Sequence, residues 1–286
     1  YGVIGWDRFF LYDRDTAEAV TLAGQAVVKA SGKFVDDHTE ADVIYGDTDS
    51  NYISFPTEWE QDRCVLAALD ICERLEAEVY PPLAEDMNIP AEDCEWRIDP
   101  EMFAPRFLQW GKKKKYAYSA TWKEGMEPDA VMDTPDVAIK GSAAKRSDSS
   151  RLTRDTEKKV INAILEGRED AVQGIVYEAA KKIDPDDPDW DAIGIPGGIG
   201  QELDEYDTET AHVRAAKTGN ELLGTEFGKG SKPMRCYLRP SYFDAVEDNI
   251  DVIGYESEDD LRPISDRLTV DAGKMTDTLL VNPMGE

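Results

Sequence analysis

The stretch Ala41-Asp42-Val43-Ile44-Tyr45-Gly46-Asp47-Thr48-Asp49-Ser50-Asn51-Tyr52-Ile53-Ser54-Phe55 places two carboxylates at a tight turn between two apolar runs. Both runs are rich in β-branched and aromatic residues, which predicts two short β-strands. Gly and Asp residues between them supply the chemistry of a turn. We therefore expect a strand-turn-strand hairpin with Asp47 and Asp49 at its tip.

Carboxylates at a hairpin tip bring hard oxygen ligands to one place. This arrangement suits Mg²⁺, which uses one or two protein carboxylates and leaves coordination positions for substrate phosphates. The pattern therefore favours phosphoryl transfer. Two other interpretations stay open from these residues alone: a solvent-facing hairpin whose Asp residues make only turn hydrogen bonds, and a Ca²⁺ loop. The EF-hand spacing, with its central Gly and closing Glu, does not follow Asp49.

Helical patterns flank the hairpin on both sides. A capping-box pattern at Asp15 predicts a helix that runs to about residue 30. A second capping signal at Thr57 begins another apolar periodicity, which we expect Pro81-Pro82 to end. The order helix, hairpin, helix predicts an α+β fold with an antiparallel sheet.

The character of the chain changes in its second half. Aromatic-rich residues from about 95 to 120 predict more strands, interrupted by the lysine run 112–115. Beyond residue 140 the periodicity is helical. Helices are predicted at about residues 152–164, 172–183 and 210–217, the last with Gly219 just beyond its end. We expect a boundary near residue 145 between an α+β part and a mostly helical part.

Several segments, in a fixed order, resemble the family B DNA polymerases. The string Tyr45 to Ser50 is similar to the Y-G-D-T-D-S palm motif of that family. The other similar segments are 1–5, 20–25, 113–116 and the basic, hydroxyl-rich stretch 140–150. Gln25 stands where the family usually has Arg. The resemblance implies that residues 1–145 are the later part of the palm, with the end of a fingers motif at 1–5, and that residues 146–286 are the thumb.

The resemblance also implies an activity and its site residues. The reaction is template-directed addition of a deoxynucleotide to a primer 3′-OH, with two Mg²⁺ ions in the intact enzyme. Asp49 would be the principal metal ligand and Asp47 its catalytic neighbour. Tyr1 would pack against the nascent base pair, and Gly2 would let the backbone approach it. The residues that would contact DNA are Lys113, Lys114, Lys115, Tyr116, Lys140, Arg146, Ser147 and Arg151.

The lysine run has a physical meaning of its own. Consecutive lysines on a strand alternate sides, so at most about half of them can face one groove. A solvated charge run is the alternative interpretation. Clustered lysine is unusual in a chain with 60 acidic and 32 basic residues, and this favours contact with phosphates.

The resemblance also bears on the partners of the intact protein, on the completeness of this chain and on alternative families. Its implied partners are primer-template DNA, deoxynucleoside triphosphates and a sliding clamp, with no membrane. The palm motif that would carry the other metal-binding Asp is absent from these residues, so we expect an incomplete fragment that is inactive by itself. The rivals are a reverse transcriptase, which also places acidic pairs on a hairpin, and a non-catalytic DNA-binding scaffold that keeps the palm and thumb.

The net charge of -28 is spread along the chain. A diffuse acidic surface resembles adaptation to a high-salt cytoplasm, where charges are screened within about 3 Å at 1 M salt. Net charge bears on solubility and encounter rather than fold, so it does not exclude a nucleic-acid partner. A halophilic archaeal source is therefore expected.

Cysteine usage and hydropathy bear on metal sites and on the compartment. The four cysteines form no C-x-x-C pair and only two histidines occur, so no zinc site is predicted. Cys72 lies in an apolar helical stripe, which predicts a reduced, buried thiol. No run approaches the roughly 20 apolar residues of a membrane span, and no signal-peptide pattern opens the sequence. We expect a soluble, cytoplasmic protein.

Overall fold

The computed structural model describes residues 2–111 and 113–284. Its α-helices are α1 Arg14–His38, α2 Gln61–Arg74, α3 Tyr80–Asp86, α4 Arg151–Leu165, α5 Val172–Ala180, α6 Trp190–Ile193, α7 Ala211–Leu223, α8 Glu258–Leu261, α9 Ala272–Thr276 and α10 Asn282–Met284. Its strands are β1 Asp42–Asp47, β2 Ser50–Ser54, β3 Met102–Phe103, β4 Phe107–Gln109, β5 Tyr116–Ala120, β6 Trp122–Lys123, β7 Asp136–Lys140, β8 Ile195–Pro196, β9 Met234–Phe243 and β10 Asp248–Tyr255.

The predicted α+β class with antiparallel pairing is confirmed. The pairs β1–β2, β3–β6, β4–β5, β8–β9 and β9–β10 are all antiparallel. The strands form several sheets of two or three strands each. The chain divides into two compact units, Tyr1–Pro105 with Ser119–Asp136, and Arg106–Tyr118 with Val137–Glu286. The assignment of 1–145 and 146–286 as palm and thumb stays a prediction.

In the first unit, α1 and α2 pack with the β1–β2 hairpin around a core that includes Phe34, Val35, Ile71 and Tyr80. The Asp13 side chain caps α1 by accepting a hydrogen bond from the Thr16 N–H at 3.0 Å. The helix runs eight residues beyond the predicted end at residue 30. Its buried residues lie mostly in this extension, because the second half of the helix covers the hairpin.

The prediction that Pro81-Pro82 ends the second helix is wrong. The helical chain continues from α2 through a π-helical segment, Leu75–Val79, and directly into α3. The two prolines occupy the first turn of α3. Proline has no N–H to donate to the preceding turn, and the wider π-helical turn just before the two prolines is where the regular hydrogen-bond pattern changes.

In the second unit, α4 packs with α5 and α6, and the sheet β4–β5–β7 contributes Ala117 and Ile139 to a small core with Ile161 and Leu165. The predicted helix at 152–164 is confirmed as α4, and the helix predicted at 172–183 is present as α5 but ends three residues earlier, at Ala180. The helix α7 extends past the predicted end at residue 217. Its C-terminal glycine is Gly224, with φ 69°, instead of Gly219.

Sequence patterns did not predict the long hairpin β9–β10. Its main core positions are fully buried, among them Cys236, Ile253 and Tyr255. Gly219 on α7 faces Gly254 on β10, and a Cβ on Gly219 would lie 2.4 Å from the Gly254 carbonyl oxygen. Glycine at both positions therefore allows the helix and strand backbones to approach closely.

Among residues 2–111 and 113–284, every helix is too short or too polar to cross a lipid bilayer.

Candidate functional site

The two carboxylates lie at the tip of the β1–β2 hairpin, as the sequence predicts. Asp47 pairs with Ser50 as the last pair of the ladder, and Thr48 and Asp49 form a two-residue turn between them. Tyr45 and Asp47 lie at alternate positions of β1 and therefore share a face, on which both are half-buried, while Gly46 between them is exposed. Asp49 is exposed.

The tip has local hydrogen bonds and one residue with an unusual backbone conformation. The Asp47 carbonyl oxygen accepts from the Asp49 N–H at 2.7 Å and from Ser50 Oγ at 3.1 Å. The Thr48 hydroxyl donates to Asp47 Oδ1 at 3.1 Å. Thr48 has φ 57°, a left-handed conformation that is costly for a β-branched residue. Strain of this kind concentrates at functional sites.

Asp47 and Asp49 are the residues of this site that could hold a metal ion. Within the described part of the chain, no three His, Cys, Asp or Glu side chains form a metal-binding group. Two carboxylates nonetheless fit Mg²⁺, which usually keeps several waters and takes other ligands from substrate phosphates. The donor set is thus compatible with the predicted cation.

The hairpin contacts α1 through residues that sequence analysis did not select. The Asn51 amide donates to the Val28 carbonyl oxygen at 3.0 Å, and Asp36 Oδ1 accepts from the Val43 N–H at 2.9 Å. No sequence motif marks Asn51, because its partner lies 23 residues away in the chain.

Lys113 to Lys115 precede β5 instead of lying on a strand, so the expectation of consecutive lysines alternating along a strand is wrong for these residues. Lys113 and Lys114 are exposed turn residues between β4 and β5, and Lys115 immediately precedes β5. The reason is the pairing of Gln109 with Tyr116, which closes the hairpin around the run. Lys112 lies outside the described residues. Lys113 and Lys114 are presented at the tip of the β4–β5 hairpin.

Tyr116 is 7% exposed at the start of β5. Its ring stacks between Phe107 and Tyr118, with centroid separations of 5.7 and 6.4 Å. The aromatic ring of Tyr116 therefore packs within the sheet.

The lysine turn meets the end of β7. Lys114 has φ 68° and Gly141 has φ 64°. A Cβ on Gly141 would lie 2.2 Å from the Lys114 carbonyl oxygen, so this contact requires glycine. Lys140, which is exposed, ends β7 just before this contact. The fold thus brings the predicted DNA-contacting residues Lys114 and Lys140 to neighbouring backbone positions.

The segment from 141 to 151 is tied to α4. Ser150 caps the helix by accepting from the Thr153 N–H at 3.0 Å. Glu157, buried on α4, accepts from the Ala144 N–H at 2.6 Å. Neither residue was among the predicted site residues, although Ser150 lies where a cap is expected.

The predicted basic residues of this segment already have protein partners. Arg146 donates to both oxygens of Asp148, at 2.9 and 2.6 Å, and this contact lowers the pKa of Asp148. Arg151 lies 3.3 Å from Asp189. Ser147 is exposed, and its carbonyl oxygen accepts from Lys232 Nζ at 2.8 Å. Both guanidinium groups are therefore engaged by carboxylates of this chain.

The predicted site residues therefore fall into two groups. Asp47 and Asp49 belong to the first compact unit, and residues 113–116 with 140–151 belong to the second. Gly2 is exposed within a series of turns in the first unit, and Tyr1 lies outside the described residues. Their predicted roles at the nascent base pair stay predictions.

Comparisons with known proteins give a consistent result. A family model described as DNA polymerase family B matches residues 1–221. DNA polymerase 2 of Aeropyrum pernix is 26% identical over 265 residues, which cover 89% of this chain and 28% of that protein. The DNA polymerase alpha catalytic subunit of Arabidopsis thaliana is 28% identical over 183 residues, which cover 63% of this chain and 11% of that protein.

The fold is also found in a solved structure, that of the family B DNA polymerase from Pyrobaculum calidifontis. It superposes with a TM-score of 0.63 at 21% identity, over 99% of this chain and 31% of that one. The chain therefore spans less than a third of the length of each of these proteins.

Proposed function

Because this chain belongs to DNA polymerase family B, we propose that it supplies part of the palm, and the thumb, of a DNA-directed DNA polymerase. The proposed reaction is template-directed transfer of a deoxynucleotide to a primer 3′-OH. The observation that carries this proposal is the hairpin tip, where Asp47 and Asp49 flank a strained Thr48 within the string Tyr45 to Ser50.

The residues of the tip would act by holding charge at a fixed place. Asp49 is exposed, so its oxygens are accessible to a ligand, whereas Asp47 is half-buried and receives the Thr48 hydroxyl. Two bound Mg²⁺ ions would stabilise charge on the attacking and leaving oxygens of the transfer. Asp49 would be the principal ligand from this chain, and Asp47 would orient the primer end and the second cation.

The second unit would hold primer-template DNA. Exposed lysines at the β4–β5 turn and Lys140 supply positive charge, and the segment from Arg146 to Arg151 adds guanidinium and hydroxyl groups. Such groups fix the position of a duplex through its phosphates without reading its sequence. Contact of the lysine turn with the primer strand near its 3′ end is supported by the family membership.

A substitution at the tip tests the proposal. Asp49→Ala in the full-length protein should reduce primer extension to below about a hundredth of the parental rate, because a metal ligand used in the transition state is lost. Asp42→Ala is the matched control, since Asp42 is an exposed carboxylate at the other end of β1. It should extend primers at nearly the parental rate. Robust synthesis by the Asp49 variant would refute the assigned role.

A non-catalytic DNA-binding scaffold is the second candidate function. The guanidinium groups that now contact Asp148 and Asp189 could bind phosphates in such a scaffold, and this binding would need no metal ion and no reaction. Primed DNA that is bound but never extended by the full-length protein, with Mg²⁺ and all four nucleotides present, would favour the scaffold.

The setting of the intact protein is part of the proposal. A net charge of -28 supports function at high salt, in the cytoplasm of a halophilic archaeon. Deoxynucleoside triphosphates and a sliding clamp are the further proposed partners.

A further inference from the structure

Asn51 joins the hairpin to α1 close to its tip. It is half-buried on β2, opposite Gly46, and its amide nitrogen lies 3.0 Å from the Val28 carbonyl oxygen. A Cβ on Gly46 would lie 3.5 Å from Asn51 Oδ1. Because Gly46 has no side chain, this pair of the ladder gains no cross-strand side-chain contact. The side chain of Asn51 contacts the backbone of α1 instead.

One face of α1 receives the hairpin. Val28, Gly32 and Asp36 are spaced by four residues and therefore share that face. A Cβ on Gly32 would lie 3.6 Å from Asn51 Oδ1 and 3.7 Å from Val43 Cγ2, so the helix and hairpin are in close contact there. Asp36 accepts from the Val43 N–H. The hairpin is thus attached at two levels, by Asn51 near the tip and by Asp36 near the base.

The hairpin needs such attachment to hold its tip. Among the residues that the structure describes, its sheet has two strands, and a two-stranded hairpin without further attachment is marginally stable. The ladder register also shifts between Val43 and Tyr45. A slip of one residue would turn Asp47 to the opposite face. The tip carries a left-handed Thr48, which adds a conformational cost that neighbouring contacts must offset.

We propose that Asn51 is a positioning residue: its hydrogen bond to the α1 backbone fixes the register and height of Asp47 and Asp49. This inference rests on the proposed function, since it assigns Asn51 to the same reaction. A displacement of about 1 Å in a catalytic group can cost about a hundredfold in rate. Asn51 would therefore affect turnover without touching DNA or nucleotide.

The test compares variants in the full-length protein. Asn51→Leu removes the amide at similar volume, and it should lower kcat for nucleotide addition by about ten- to a hundredfold. The KM for nucleotide and the affinity for primed DNA should stay within about twofold, because neither ligand contacts Asn51 in this assignment. The Mg²⁺ concentration for half-maximal rate should rise. Asn51→Gln keeps the amide and should recover part of kcat.

Asp36→Ala is the matched control. It removes the hydrogen bond that the Val43 N–H donates at the hairpin base. Val43 lies about four residues, or roughly 13 Å along the strand, from Asp47. It should lower the melting temperature about as much as Asn51→Leu while leaving kcat near the parental value. An equal loss of kcat in both variants would reduce Asn51 to a contributor to stability and overturn the proposal.

A second measurement is independent of catalysis. Hydrogen exchange of the amides of residues 46–51, followed by mass spectrometry, should be about fivefold faster in Asn51→Leu, as expected for one lost hydrogen bond. Asp36→Ala should change it less. Unchanged exchange would overturn the inference even if the enzyme lost activity. Conversely, full activity in Asp49→Ala would refute the proposed function, while the exchange result would still decide whether Asn51 fixes the tip.

Discussion

Cys72 shows how burial changes the chemistry of a single residue. The predicted reduced thiol is confirmed, and the side chain is half-buried rather than fully buried. Burial, with Asp99 and Glu76 nearby, raises the pKa of Cys72 from 9.0 to about 11. The unfolded thiol therefore ionises before the folded one. Stability from this group is fully present below about pH 9 and is lost as the pH rises through 11.

We expect the urea concentration at the midpoint of unfolding to decrease as the pH is raised from 9 to 11. The decrease should be smaller in Cys72→Ala. The substitution removes one group whose ionisation favours the unfolded state. Burial also raises the pKa of Tyr80 and Cys236, so part of the alkaline loss should remain. An alkaline loss of equal size in the parental protein and the variant would show that Cys72 does not contribute.

The β4–β5 hairpin is the element whose role in DNA binding can be measured most directly. Lys114 and Lys115 lie at its turn. Replacing both with Gln keeps the side-chain stems but removes two positive charges. Affinity for primed DNA should then fall similarly for all sequences, because phosphate contacts position rather than specify. The slope of log affinity against log salt should flatten by about 0.9 for each lost contact.

Lys181→Gln with Lys182→Gln is the matched control for that experiment. These two lysines are exposed at the end of α5, so the pair removes the same charge away from the turn. The salt slope should stay at the parental value in this variant. If both double variants change the slope equally, the lysine turn acts only through net charge.

For the whole molecule, residues 1–286 expressed by themselves should fold but not extend primers. The family resemblance implies that the other metal-binding Asp belongs to a palm motif that these residues do not contain. Salt should stabilise the chain, because screening weakens the self-repulsion of a net charge of -28. Circular dichroism melts from low to molar KCl, with primer extension assays beside them, measure both effects. Primer extension by this polypeptide would show that the catalytic carboxylates are misassigned.

The sequence by itself determined the features that depend on neighbouring residues. The turn at Thr48-Asp49 and the strands on either side of it follow from turn chemistry and from β-branched and aromatic residues within a few positions, and the periodicity of α4 places that helix within a residue of its observed ends. For this reason the carboxylate tip, which is the centre of the candidate site, is predictable from local sequence alone.

Only the tertiary structure decided the contacts between residues far apart in the chain. Asn51 meets Val28 across 23 residues, and Gly141 accommodates Lys114 across 27 positions of sequence. The burial of the hairpin β9–β10 against α7 depends on the close approach of Gly219 and Gly254, which lie 35 positions apart in the chain and which no local pattern connects. Local patterns specify backbone preference, whereas burial and close approach depend on which distant segments meet.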